Sequence, residues 1–168
     1  MNSPYTTTIT DEARRRGIRV KVLDPDLPIF ALAHGGRTVR CFNALTDRVG
    51  AATFHLAQDK RALNGFLKAR GFSVPDQAAL GAWPEATAFL KRHGTIVVKP
   101  AREWGGRGVS VDIRTEPDLQ QAIRTARKFG EDVVLEQCVR GQDYRLIVVD
   151  GEYVAATTIS RKSWPRTH

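Results

Sequence analysis

The sequence lacks long hydrophobic runs and has little cysteine. No apolar stretch approaches the ~20 residues that a membrane-spanning helix needs, and residues 1–16 lack the apolar segment of a signal peptide. The two cysteines, Cys41 and Cys138, lie far apart and are too few for a disulfide framework. We therefore expect a cytoplasmic protein with free thiols.

Patterns of metal binding and of nucleophilic catalysis are also missing. The histidines and cysteines show no spacing typical of metal ligands, and there is no Gly-x-Ser-x-Gly motif. Basic residues, in contrast, are in excess: 26 Lys and Arg against 18 Asp and Glu give a net charge of +8. That excess favours a polyanionic partner, which is a nucleic acid, an anionic membrane or a small phosphate ligand.

The composition is that of a globular protein. A chain of 168 residues, 42% hydrophobic and 26% charged, has the length of one domain, or of a small domain plus part of another. Hydrophobic periodicity predicts an α/β fold. The predicted helices are 10–16, a long helix from residue 46 to Gly71, 84–93 and 115–130. The predicted strands are 18–23, 95–98, 109–113 and 133–135, with hairpins at 29–42 and 144–159 and a linker at 72–83.

A lysine followed by a glycine-rich segment is the first stretch with chemical meaning. Lys99 ends a β-branched strand, and the loop after it contains Gly105, Gly106 and Gly108. Glycines let backbone N–H groups approach an anion closely, and the lysine adds a charge for phosphate oxygens. The segment predicts a phosphate cradle, with a plain glycine-rich hairpin loop as the alternative. It is not a P-loop, because no Lys-Ser or Lys-Thr pair follows the last glycine.

A pair of carboxylates forms the second stretch. Glu136 ends an apolar strand, and Asp143 opens the next one after a short connector. Backbone amide and carbonyl groups around 137–139 could read the edge of adenine, and a carboxylate could bind ribose hydroxyls. As isolated residues, Glu136 and Asp143 are more typical of solvated charges at strand ends, and their position after the Lys99 loop favours the nucleoside instead.

Together these segments resemble the ATP-grasp superfamily of carboxylate–amine ligases, and within it the branch of cyanophycin synthetase and N-acetylglutaminylglutamine synthetase. Residues 12–18, 32–37, 45–48 and 58–60 carry the resemblance, and Val97–Val149 carries it most strongly. It implies a partial N-terminal region at 1–45, a first ATP-grasp subdomain at 46–136, the start of a second at 137–160, and a tail at 161–168.

The resemblance also implies an ATP site and a reaction. Lys99 would contact the phosphates, the loop from Arg102 through Gly105, Gly106 and Gly108 would close over them, Glu136, Gln137 and Val139 would hold adenine, and Asp143 would take the ribose. ATP would phosphorylate a carboxylate, and an amine would then displace phosphate. The implied partners are ATP and small carboxylate and amine substrates, with no nucleic acid and no membrane, and we expect a homodimer.

Two departures from the family pattern qualify these expectations. The family commonly has a second basic residue four positions after its Asp-Lys pair, where this chain has Asn64, so Lys60 or Arg61 is the candidate substitute. The family's magnesium carboxylates and asparagine lie downstream of the 144–159 hairpin, beyond His168. We therefore expect a truncated ligase that lacks magnesium ligands, or else a non-catalytic nucleotide-binding or interaction module.

Overall fold

Residues 3–158 of the chain are described by the structure, a computed structural model. The chain divides into two compact units between His55 and Leu56. The predicted α/β class is confirmed, because helices and antiparallel sheets are combined in the chain. No helix among residues 3–158 is long and apolar enough to cross a membrane. The predicted hairpin end at Ile159 and the tail at 161–168 lie outside the described residues.

The first unit combines an N-terminal helix with a four-stranded antiparallel sheet. Its elements are α1 (Pro4–Arg15), β1 (Arg19–Val22), β2 (Ile29–His34), β3 (Arg37–Phe42) and β4 (Leu45–Thr46), and the strands pair in chain order. The predicted first hairpin is confirmed, with Gly35 and Gly36 at φ 55° and 75° in its turn. α1 begins at Pro4 rather than at residue 10, because Ser3 accepts a hydrogen bond from the Thr6 N–H and proline suits the first turn.

The predicted long helix from residue 46 to Gly71 is wrong. Thr46 belongs to β4, where it pairs with Cys41. The helical periodicity is real but divided between α2 (Ala51–Gln58) and α3 (Lys60–Lys68). Asp59 separates the two helices, because its extended backbone and its side chain, which accepts from the N–H groups of Arg61 and Ala62, start a new helix.

The second unit is built on a four-stranded antiparallel sheet. Its further elements are β5 (Gln77–Ala79), α4 (Trp83–His93), β6 (Ile96–Pro100), β7 (Ser110–Ile113), α5 (Glu116–Arg127) and β8 (Val133–Gln137). The strands of the sheet lie in the order β5-β8-β6-β7. β5 corrects the predicted linker, which contains a short edge strand that pairs with β8. The predicted helices α4 and α5 are confirmed, and Thr115 caps α5 by accepting from the Asp118 N–H.

One face of this sheet carries the hydrophobic core. Along β6, Ile96 and Val98 point into the core, where they meet the apolar sides of α4 and α5. Because side chains alternate across a strand, Val97 and Lys99 lie on the opposite face. The fold therefore places Lys99 on the face of the sheet opposite α4 and α5.

A separate hairpin follows the sheet. Within residues 3–158, β9 (Tyr144–Val149) and β10 (Glu152–Thr158) pair only with each other. Asp150 and Gly151 form the connecting turn with φ 53° and 83°, as the Asp-Gly pair predicts.

Candidate functional site

The centre of the candidate site is an ion pair on the face of the sheet opposite the core. Lys99 Nζ donates to Glu136 Oε2 over 2.6 Å, and each side chain is 15% exposed. The pairing of β6 with β8 brings them together, because Lys99 lies opposite Val134 and Glu136 opposite Val97, one diagonal step away. The sheet thus holds an ammonium group at the point where β6 enters the glycine-rich loop.

Lys60 lies beside this pair at the start of α3. Its Nζ donates to the carbonyl oxygens of Pro100, Ala101 and Glu103 over 3.2, 3.3 and 2.6 Å. Burial lowers the pKa of Lys60, and the nearby positive charge of Lys99 lowers it further. Two neighbouring ammonium groups repel each other, so a polyanion between them would be stabilised.

The carboxylate of Asp59 ties the loop to α3. Besides capping the helix, it accepts from Arg102 Nε over 3.1 Å. Burial alone would raise the pKa of Asp59, but hydrogen bonds from the Ala62 N–H, Arg102 and the Arg61 N–H outweigh it and hold the pKa below its ordinary value. Together, Asp59 and Lys60 anchor the residues at which the loop begins.

The loop requires its glycines. Gly105, Gly106 and Gly108 have φ of 63°, 77° and 69°, in the left-handed region that glycine adopts without strain. A Cβ on Gly108 would lie 2.7 Å from Phe129 Cδ2 and 2.9 Å from Pro100 Cγ, whereas one on Gly105 would meet nothing within 4 Å. Gly108 therefore packs the end of the loop, and Gly105 leaves backbone open near its tip.

Residues 137–139 offer fewer free groups than the sequence suggests. The N–H of Gln137 donates to the Asp76 carbonyl, and its side-chain Oε1 accepts from the Asp76 N–H. The Cys138 N–H donates to the Thr95 carbonyl. Val139, in contrast, is 58% exposed. Val139 is therefore the most exposed of these three residues.

Asp143 and Asn64 complete the account of the predicted residues. Asp143 is exposed just before β9, and no described hydrogen bond or ion pair links it to Lys99 or Glu136. Asn64 donates to the Pro75 carbonyl over 2.9 Å, a structural tie in place of the family's basic group. Lys60, Lys99, Arg102 and Glu136 are thus brought together, and Asp143 is not.

Two residues that contact the site were not predicted from the sequence. Asp59 could have been found, because an aspartate before a helical run is a typical N-cap. Gln77, which donates through Nε2 to Glu136 Oε2, gave no signal, because it falls in a segment predicted to be a linker.

The second unit also has a cleft that is separate from the Lys99–Glu136 pair. A cleft of about 250 Å³ lined by Leu80, Trp83, Ile123 and neighbouring polar residues is on the helical side of the sheet, away from Lys99. Among residues 3–158 no group of three or more His, Cys, Asp or Glu side chains could hold a metal ion. Residues 3–158 therefore form no all-protein cage for a metal ion, whereas Mg²⁺ at a nucleotide is held by one or two carboxylates together with the substrate phosphates.

Comparison with known proteins identifies relatives of this sequence. The sequence is 32% identical over 154 residues to cyanophycin synthetase of Trichormus variabilis, covering 90% of this chain and 17% of the relative. It is 26% identical over 149 residues to the glutathione biosynthesis bifunctional protein of Enterococcus faecalis, covering 86% of this chain and 20% of that protein. The chain therefore spans a small part of the relatives that it matches.

Solved structures show the same fold. The bifunctional glutathione synthetase from Pasteurella multocida superimposes with a TM-score of 0.57 at 21% identity, over 90% of this chain and 21% of that one. D-Alanine–D-alanine ligase from Bacillus anthracis complexed with ATP gives 0.54 at 20% identity, over 64% and 36%. Residues 75–166 match the family model of the prokaryotic glutathione synthetase ATP-grasp domain. The chain belongs to this ATP-grasp family.

Proposed function

We propose that this chain forms the nucleotide-binding part of an ATP-dependent carboxylate–amine ligase. The observation that carries the proposal is the position of Lys60 and Lys99, two neighbouring ammonium groups at the start of a glycine-rich loop. Such a cluster stabilises a bound triphosphate through charge, and the loop can close over it with backbone N–H groups.

The remaining residues would hold the nucleoside. Val139, which is exposed, would read the base edge through its backbone, with Glu136 and the carbonyl of Gln137 beside it. Asp143 would take the ribose hydroxyls, which requires the segment before β9 to approach Lys99 when ATP binds. Arg102, Gly105, Gly106 and Gly108 would cover the phosphates.

ATP would supply the phosphoryl group that activates a small-molecule carboxylate, after which an amine displaces phosphate and an amide forms. This chain would contribute charge neutralisation and exclusion of water at the phosphates. We propose a cytoplasmic reaction like that of N-acetylglutaminylglutamine synthetase, on the strength of the motif order from Val97 to Val149.

Calorimetric titration with ATP tests the proposal. Lys99→Met should weaken ATP binding about tenfold or more, since a hydrogen bond to a charged group is worth about 1.5–3 kcal/mol. Lys91→Met is the matched control, because Lys91 is an exposed lysine that pairs with Glu116 over 3.7 Å at the other face of the sheet. Equal effects of the two substitutions would show diffuse attraction and contradict a defined site. ATP binding without phosphate release on a panel of acids and amines would favour the non-catalytic module.

A further inference from the structure

The side chain of Gln77 holds the carboxylate that holds Lys99. Gln77 lies opposite Glu136 in the register of β5 with β8, so both side chains are on the face that carries Lys99. Its Nε2 donates to Glu136 Oε2, the same oxygen that accepts from Lys99 Nζ. Two donors, one from β5 and one from β6, thus converge on one carboxylate oxygen of β8.

The other end of the same amide is unsatisfied. Gln77 Oε1 is buried and has no hydrogen-bond partner among residues 3–158. Rotating the amide would not help, because it would turn an acceptor toward the carboxylate of Glu136. A buried carbonyl without a donor destabilises the folded state. An apolar side chain at this position would therefore make the folded state more stable.

We propose that Gln77 is a positioning residue that fixes Glu136 and, through it, Lys99. With Glu136 held from both sides, Lys99 keeps one hydrogen bond to the sheet. The other two protons of its Nζ have no described partner and are available to a ligand's phosphate oxygens. This inference rests on the proposed function for its ligand, but the geometry of the three side chains stands without it.

Measurements of stability distinguish a positioning role of Gln77 from a purely structural one. Gln77→Met and Gln77→Leu remove the donor and the unsatisfied carbonyl together and keep much of the volume. We expect their midpoints of urea unfolding to equal or exceed that of wild type. Gln120→Met is the control, because Gln120 is an exposed glutamine on α5, on the other face.

Ligand binding supplies the second readout. We expect Gln77→Met to weaken binding of ATP and of inorganic triphosphate about tenfold, as loss of one hydrogen bond to a charged group does, while adenosine binding is unchanged. In a Lys99→Met background the same substitution should have no further effect, because Gln77 acts through Lys99. Additive losses would overturn the proposal.

Chemical labelling of lysines tests the geometry without a nucleotide. In Gln77→Met, acylation of Lys99 by an amine-reactive reagent, followed by peptide mass spectrometry, should be several times faster than in wild type, with Lys91 unchanged. An unchanged Lys99 rate overturns the inference, as does unchanged ATP affinity when the wild type binds ATP. Failure of the wild type to bind ATP, with faster Lys99 labelling in the variant, overturns the proposed function and leaves the positioning of Lys99 in place.

Discussion

At the scale of single residues, Gly108 shows how one position combines a backbone and a packing requirement. Its φ of 69° strains any other residue, and the space for a Cβ is already filled by Phe129 and Pro100. Gly105 has a similar φ of 63° but open surroundings. The two glycines therefore separate the two requirements.

We predict that Gly108→Ala lowers the free energy of unfolding by about 2–5 kcal/mol and Gly105→Ala by about 1–2 kcal/mol. The left-handed conformation costs alanine about 1–2 kcal/mol at either site, and overpacking adds about 1–3 kcal/mol at Gly108. Urea unfolding of the two variants measures the difference. Equal losses would mean that Phe129 moves aside without cost.

Some residues of the site are neighbours in sequence, whereas others contact partners that are distant in sequence. Lys99 and the three glycines were predictable, because a strand, a lysine and a glycine loop are consecutive in sequence. The contact between Lys99 and Glu136 spans 37 residues, and it depends on a strand order that local patterns do not encode. Gln77 was missed because β5 has three residues, too few for an alternating pattern.

At the scale of elements, the junction between α2 and α3 shows why periodicity alone was misleading. Apolar residues continue at helical spacing through the junction, so the pattern predicts one helix. The side chain of Asp59 satisfies the first N–H groups of a new helix instead, and its charge also holds Arg102. A single polar residue therefore sets both the helix boundary and the start of the loop.

We predict that Asp59→Asn and Asp59→Ala differ in how stability depends on pH. Because the folded-state pKa of Asp59 is lowered, its ionised form stabilises the fold above the unfolded value of about 3.9, and this contribution is lost as the pH falls through the folded pKa. The stability gap between wild type and Asp59→Asn should therefore narrow below about pH 4. Asp59→Ala, which also removes the helix cap, should be about 1 kcal/mol less stable than Asp59→Asn throughout.

Urea unfolding at a series of pH values from acid to neutral gives both gaps. A wild-type advantage over Asp59→Asn that stays constant across the series would show that the charge of Asp59 does not contribute to folding.

At the scale of the whole molecule, the last hairpin is the least protected part of the described chain. Tyr144, Leu146, Val148 and Tyr153 share one of its faces, and each is between 58% and 65% exposed. Its strands pair with no other strand among residues 3–158. Apolar faces and open strand edges of this kind promote association.

We predict that the chain self-associates through this face, forming dimers or larger soluble species. Leu146→Lys should weaken self-association about tenfold or more in sedimentation velocity, since it removes a buried apolar contact worth about 1.5–3 kcal/mol. Val111→Lys adds the same charge at another exposed apolar position, which is 52% exposed, and should leave self-association unchanged. A wild type that sediments as a monomer at all concentrations would refute the prediction.

The order of strands in the second sheet also bears on how the chain emerges from the ribosome. β6 can pair with β7 soon after both are synthesised. Its other neighbour, β8, is synthesised later, because Glu136 follows Lys99 by 37 residues. At 5–20 residues per second this is a delay of roughly 2–7 s. During that interval one edge of β6 in the nascent polypeptide is unpaired, and chaperones or other polypeptides can bind to it. Limited proteolysis of ribosome-bound chains of increasing length should show β6 protected only once Gln137 has left the exit tunnel, and protection at shorter lengths would count against this order of folding.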